Sequence, residues 1–284
     1  MSGDEGQGQS TPARRSPVGG GSARSLLLTV FGEFVLPQDR PVWTSALLHV
    51  TTGLGIEEKS ARQALNRLAA DGWIRALRSG RRVRYALSEH GRSSLTEGAE
   101  RIYSFGRARD SWDGRWLVLL VSIPEARRDL RHQLRTRLTW AGLGSPLPGM
   151  WISPHVSREA ETKQVVESLG LHADVFSFCG PYMGIGSEQA MVEQAWHLGE
   201  LAAGYEDFVR EFAGLRPDPG DPTLLAQVRL VHAWRRFPRQ DPQLPRELLP
   251  PHWIGMRAAN LFNDLHAAWH APAQEHWTAL TAEA

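Results

Sequence analysis

The sequence predicts an α+β protein with an N-terminal winged helix-turn-helix, a central ferredoxin-like α+β domain and a C-terminal all-helical domain. Three observations predict this order. Helical apolar spacing in residues 24–105 gives way to two short alternating segments, apolar runs alternate with helical patterns in 106–186, and only helical patterns follow in 187–284. Residues 1–23 are rich in Gly, Ser, Pro and Gln, so we predict that they form a disordered tail.

The N-terminal region opens with two predicted helices. The first begins near Ser25 with apolar residues at helical spacing, and we expect it to end before Pro37, because proline lacks the backbone N–H. The second covers about 44–51, with Thr44 or Ser45 as its N-cap.

A third helix, about 57–70, separates an apolar stripe from a polar face. The stripe has i, i+3, i+4, i+7 spacing, and Gly72 is expected to end the helix. A DNA recognition helix needs such an outward face, because arginine forks fit guanine and phosphate while amides fit adenine. The candidate contacts on this face are Lys59, Ser60, Arg62, Gln63, Asn66 and Arg67. The alternative is an ordinary surface helix in which Arg67 pairs with Asp71 at i+4.

Two short strands, 73–77 and 83–87, follow the third helix and are joined by a Gly-containing loop over 78–82. Three helices followed by a hairpin is the order of a winged helix-turn-helix. Arginines in such a wing contact phosphate or enter a minor groove, which positions the protein but carries little sequence information. The candidate wing contacts are Arg78, Arg81, Arg82 and Arg84.

The net charge of +1 hides a strong separation of charge along the chain. Residues 24–105 sum to +4 and residues 106–284 to −3, while residues 59–84 hold eight basic side chains against Asp71 alone. A basic cluster of this density repels itself unless it meets an anion. The third helix and the hairpin therefore have the charge of a double-stranded DNA-binding surface.

The central region reads as strand 116–121, helix 125–140, strand 149–153, helix 159–169 and strand 174–178. This β-α-β-α-β order predicts a ferredoxin-like unit with one strand still to be placed. The C-terminal region is expected to hold one long helix over Gln189–Gly214, then Thr223–Arg236 and Gly255–His270. His266 and His270 have metal-ligand spacing, but an isolated pair is a weak signal and we predict no metal.

The chain from about Ser25 resembles the PaaX family of bacterial repressors, which regulate phenylacetate catabolism. The stretches that carry the resemblance are Ser25–Gly32, Gly55-Ile56 through Ala61–Leu68, Asp71–Trp73, Trp112–Trp116, Pro148–Pro154 and Val231–Pro245. The resemblance implies a winged-helix N-terminal domain, a central domain similar to the Cas2 fold and a helical C-terminal domain. We expect the central domain to pair subunits and the C-terminal domain to sense the effector. It also implies a homodimeric repressor that leaves operator DNA when it binds an aryl-acyl-CoA such as phenylacetyl-CoA.

Candidate effector contacts lie at the end of a C-terminal helix. Arg235 and Arg236 are predicted to meet the phosphates of a CoA effector, or alternatively to complement the helix dipole. Trp234 is a candidate for an aryl pocket, although an aromatic residue at helical spacing is also typical of a core. The resemblance supplies no effector-contact motif that identifies further residues.

Other function classes are less well supported. We predict no cofactor and no enzymatic activity. A metal-dependent nuclease needs convergent carboxylates. Strand 116–123 has no acidic residue, and Asp113 lies before it, which argues against a nuclease. The alternatives are a DNA-binding regulator without a CoA effector and a Cas2-like nuclease. A single cysteine, the lack of an apolar leader and the lack of a 20-residue apolar run predict a cytoplasmic protein with no membrane partner.

Overall fold

The computed structural model describes residues 22–106, 111–171 and 174–283, so nearly all of the tail predicted over residues 1–23 lies outside the described residues. The α+β class is confirmed by two small antiparallel sheets and many helices. The chain divides into two compact units, one that ends at Arg92 and one that runs from Ser93 to Glu283. The three-domain boundaries remain predictions.

The first unit starts with a helix that passes through Pro37. Helix α1, Ala23–Val30, continues through a π-helical segment, Phe31–Val35, and a last turn, Leu36–Gln38. The prediction that it ends before Pro37 is therefore wrong. Pro37 lies within the first two positions of the last turn, where a proline, which has no backbone N–H to donate, is tolerated. Asp39, with a φ of 48°, then ends the helix.

Two further helices form the predicted tri-helical group with α1. They are α2, Thr44–Gly53, and α3, Glu58–Ala70. The hydroxyl of Thr44 donates to the carbonyl of Val83 at 2.8 Å, so it ties α2 to a strand rather than capping the helix. The apolar faces of the three helices meet in a core of fully buried residues: Leu27, Val30, Phe31, Phe34, Leu47, Val50, Ala61, Ala64, Leu65 and Leu68.

Gly72 connects α3 to the hairpin. With φ +77° it allows its own N–H to bond Ala69 and the N–H of Trp73 to bond Leu68, a Schellman C-cap. The hairpin strands are β2, Ile74–Ser79, and β3, Arg82–Leu87, and β1, Val42–Trp43, lies on the other side of β3. Ser79 pairs with Arg82, so the loop is only Gly80-Arg81, shorter than the predicted 78–82.

The second unit contains a four-stranded antiparallel sheet with the order β5-β6-β4-β7. The strand that the sequence leaves unplaced is β5, which precedes β6 as a hairpin partner. The resulting β-α-β-β-α-β succession confirms the ferredoxin-like prediction. Its elements are β4, Arg115–Val121; α5, Arg128–Trp140; β5, Gly144–Leu147; β6, Met150–Ser153; α6, Glu159–Ser168; and β7, Val175–Pro181.

The two faces of this sheet have different covers. Leu119 and Trp151 face α5 and α6 and pack against Leu134, Leu138 and Val166. On the opposite face, Trp116 and Ile152 pack against α7, Glu188–Ala195, and against Trp196 directly after it. Trp196 fits there because Gly144 lacks a side chain: a Cβ at position 144 would lie 2.5 Å from the indole ring.

The helical prediction for residues 187–284 is correct in type but not in its boundaries. The predicted single helix over 189–214 is two helices, because Trp196 adopts extended angles to enter the sheet core. The last helix continues past His270 and includes Pro272. The helices are α4, Glu89–Ser104; α8, Leu198–Phe212; α9, Asp221–Trp234; α10, Phe237–Gln240; and α11, Ile254–Glu283.

Candidate nucleic-acid interface and ligand cleft

The polar face of α3 is directed to solvent. The fully buried side chains of α3 are those of the apolar stripe, and the opposite face carries the candidate DNA contacts. Of the six predicted contacts, only Ser60 is half-buried; the exposed ones are Lys59, Arg62, Gln63, Asn66 and Arg67. Helix α3 therefore presents two amides and three cations on one accessible surface.

Arg62 and Arg67 differ in whether they form an ion pair. The Arg62 guanidinium is held by Glu58, with N–O distances of 2.7 and 2.8 Å, in an exposed i,i+4 pair that is worth about 0.3–0.5 kcal/mol. Arg67 makes no ion pair with a described residue, because Asp71 pairs with Arg24 at 3.1 Å instead. The Arg67–Asp71 pair that the sequence left open is thus not formed among the described residues.

The hairpin arginines fall into two groups. Arg82 and Arg84 stack on Trp43, with their guanidinium carbons 4.1 and 4.6 Å from the ring centre. Such cation–π contacts restrict where the two guanidinium groups point. Arg78 and Arg81 are exposed, and neither forms an ion pair within the described part of the chain. Sequence reasoning missed Trp43, which pairs with Arg84 only through the register of β1 and β3.

A cleft of about 830 Å³ lies within the second unit. Its lining comes from the helices α4, α5, α6, α7, α8 and α10, from strands β5 and β6, and from the segments 141–143 and 241–243. Five arginines line it, together with three acidic residues and several aromatic rings. The arginines are Arg101, Arg135, Arg158, Arg236 and Arg239.

Arg158 already has a structural role in this cleft. It donates to the carbonyl of Ala141 and, at 3.3 Å, to that of Pro242, so it ties the loop after α10 to the central sheet domain. Burial lowers the pKa of Arg158, and the charges of Glu161 and Asp241 oppose that shift. The hydroxyl of Tyr205 also donates to Asp241, at 2.7 Å. This arrangement fixes one wall of the cleft.

The three predicted effector contacts occupy different environments. Trp234 is 0% exposed and stacks on Phe262 with ring centres 4.7 Å apart, in the core of the C-terminal helices. Arg235 is half-buried, and burial lowers its pKa, with Arg239 adding to the shift. Arg236 is exposed, lines the cleft and donates to the carbonyl of Gly204 at 3.0 Å. The structure thus brings only Arg236 of the three to the cleft.

The two C-terminal histidines and Asp113 have the following contacts. The rings of His266 and His270 stack with centres 5.0 Å apart, and His266 also packs against Tyr103. The carboxylate of Asp113 accepts the backbone N–H of Arg115 at 2.9 Å, a turn contact at the start of β4. Among the described residues, no helix combines the length and apolar character needed to cross a membrane.

Comparison with protein families gives three consecutive matches. Residues 22–91 match the model of the PaaX-like protein, and residues 109–192 match the PaaX protein central Cas2-like domain. Residues 196–279 match the PaaX-like protein C-terminal domain. Together the matches span most of the chain in a single order.

Two individual proteins are also similar to this chain. The transcriptional repressor PaaX from Escherichia coli (strain K12) is 32% identical over 251 residues, which are 84% of this chain and 78% of that protein. The solved structure of the uncharacterized protein Rv0674 from Mycobacterium tuberculosis is 23% identical, with a TM-score of 0.60 over 90% of this chain and 99% of that one. The second similarity bears on the fold alone.

Proposed function

Since this chain belongs to the PaaX family of transcriptional repressors, we propose that it binds operator DNA as a homodimer and is released by an aryl-acyl-CoA such as phenylacetyl-CoA. Membership of this family makes it a regulator rather than an enzyme. The observation that carries the proposal is the exposed face of α3 beside a hairpin whose Arg78 and Arg81 are exposed and form no ion pair with a described residue. We expect it to act in the cytoplasm, where operator DNA is accessible.

The first unit is proposed to be a winged helix-turn-helix with α3 as its recognition helix. Helix α3 would enter the major groove, where Asn66 and Gln63 match adenine and Arg62 matches guanine. Contact by Arg62 requires release of Glu58, which costs little because the pair is exposed. The wing arginines would bind phosphate, with Arg82 and Arg84 already oriented by Trp43.

Dimerisation is proposed to use the free edge of the central sheet. Strand β7 lies at the end of the strand order, and Phe176 and Phe178 on it are 68% and 58% exposed. No charged residue occurs from Val175 to Ser187, so this edge lacks the charges that normally prevent strand pairing. Pairing of β7 with β7 of a second copy would cover both phenylalanines and produce two-fold symmetry.

The switch is proposed to work by a shift of populations. An effector that binds better to the dimer geometry that cannot hold DNA lowers operator affinity by its differential binding energy. Two-fold symmetry makes the operator an approximate inverted repeat, with half-sites about one helical turn or a multiple apart.

We expect Arg62→Ala and Asn66→Ala to relax base preference at separate operator positions. Each bidentate base contact supplies about 1–3 kcal/mol of discrimination, so a substituted base at the corresponding position should become nearly neutral for that variant. The measurement is a gel-shift competition on promoter DNA next to the gene, with single-base substitutions across each half-site. Arg131→Ala, which changes an exposed side chain of α5 in the second unit, is the matched control and should keep the wild-type preference. Wild-type base preference in both variants would contradict the role of α3.

The same assay separates the alternatives. A repressor returns labelled DNA intact, whereas a Cas2-like nuclease shortens it in the presence of Mg²⁺. Phenylacetyl-CoA releases DNA from a ligand-controlled repressor but leaves it bound to a regulator without a CoA effector. DNA cleavage would favour the nuclease, and release by CoA thioester without cleavage would support the proposal.

A further inference from the structure

Three arginines in the cleft have no acidic partner. Arg101, Arg135 and Arg239 come from α4, α5 and α10, and none forms an ion pair with a described residue. Elsewhere in the second unit, ion pairs such as Arg229–Glu211 and Arg210–Asp207 hold single arginines on exposed helix surfaces. Three unpaired cations around one concave surface repel each other and attract a ligand with several negative charges.

An exposed aromatic ring accompanies these cations. Trp140, the last residue of α5, lines the cleft and is 80% exposed. Among the described residues of this unit, the other strongly exposed aromatic rings are Phe176 and Phe178 on β7. A flat ligand ring stacked on the indole would remove both surfaces from water, a contact worth about 1–3 kcal/mol for a nucleic-acid base.

A buried donor on the cleft wall also lacks a partner. Trp196 lines the cleft and is only 8% exposed, and its indole N–H makes no hydrogen bond within the described residues. Buried indole N–H groups normally find an acceptor.

We infer that this cleft is the effector site and that it takes a phosphorylated ligand with an aromatic base. Arg101, Arg135 and Arg239 bind the phosphate groups, and Trp140 stacks on the base. Arg158 is not a ligand contact but holds the wall formed by residues 241–243. The inference rests on the proposed function, because the ligand chemistry it describes is that of the nucleotide end of a CoA thioester.

The test is isothermal titration calorimetry of the full chain with phenylacetyl-CoA, CoA and phenylacetyl-pantetheine. Arg135→Ala and Arg239→Ala should each weaken binding of phenylacetyl-CoA about tenfold or more, because each removes charge-assisted hydrogen bonds. Neither should affect phenylacetyl-pantetheine, which lacks the nucleotide. Trp140→Ala should weaken both CoA ligands, while Trp140→Phe restores most of the affinity by keeping a ring. Arg131→Ala, on the same helix but outside the cleft, is the control.

Several outcomes would overturn the inference. Wild-type affinity for phenylacetyl-CoA in the Arg135, Arg239 and Trp140 variants would place the ligand elsewhere. An equal loss of affinity in Arg131→Ala would show that the effect comes from the net charge of the protein rather than from the cleft. If none of the three ligands bound to the wild-type protein, the cleft would not be an effector site. Operator binding, measured separately by gel shift without ligand, distinguishes these results from a failure of the DNA-binding proposal.

Discussion

Phe178→Lys is expected to convert the proposed dimer into a monomer and to lower operator affinity by about 10²-fold or more. The phenyl ring is more than half exposed on the free edge of β7, where a partner strand would cover it, and a lysine there would be buried without a counter-charge. The operator then loses the effective concentration that joins two half-sites, which is worth 10²–10⁴ in affinity. Light scattering coupled to size-exclusion chromatography gives the mass, and fluorescence anisotropy gives the affinity.

Leu147→Lys is the matched control for this prediction. Leu147 is also an exposed apolar residue at a sheet edge, but it lies on β5, at the opposite end of the strand order. The Leu147 variant should remain dimeric with wild-type operator affinity. A dimeric Phe178 variant, or a monomeric wild-type protein that still binds an inverted repeat tightly, would contradict the β7 interface.

Trp234→Ala is expected to lower the free energy of unfolding by about 3–5 kcal/mol, the cost of removing a large side chain from a packed core. The indole is fully buried, and besides stacking on Phe262 it contacts Phe208 and Phe237, at 5.2 Å between ring centres in both pairs. Urea denaturation followed by circular dichroism measures the change. The effect should be the same with and without phenylacetyl-CoA, because the residue stabilises the helices rather than the ligand.

Trp140→Ala provides the comparison. It removes the same side chain from a position that is mostly exposed, so its effect on unfolding should stay within about 0.5 kcal/mol. The two tryptophan variants therefore separate stability from ligand binding: the first unfolds easily and the second folds but binds CoA ligands weakly. A loss below about 1 kcal/mol in Trp234→Ala would show that the core around it is not as tightly packed as described.

The sequence predicted best where a period or a strong local signal was present. The apolar stripe of α3 and its end at Gly72 followed from 3.6-residue spacing and from a glycine that adopts φ +77°. Strand β5 was not predicted, because its four residues include a glycine and a proline and form a strand only by pairing with β6. The sequence also did not predict that α11 continues through Pro272, because tertiary packing on both sides of the proline outweighs its local cost.

The candidate sites divide in the same way. The candidate contacts on α3 and the hairpin could be proposed from the sequence because they are close along the chain and most of them are basic. The cleft was not, since Arg101, Arg135 and Arg239 come from three separate elements that no periodicity connects. Trp234 illustrates the limit of helical spacing, which is the same for an aryl pocket and for a core and so could not decide between them.

The central claim, that α3 and the hairpin bind DNA, is tested most directly by the salt dependence of operator binding for the wild type and Arg82→Ala. Each phosphate contact contributes a slope of about −0.9 to log K against log salt. The wild type should show a steep negative slope, and Arg82→Ala should weaken binding to all DNA sequences and flatten the slope by about one unit. A wild-type slope near zero, or an identical slope in the variant, would contradict the assignment of this surface.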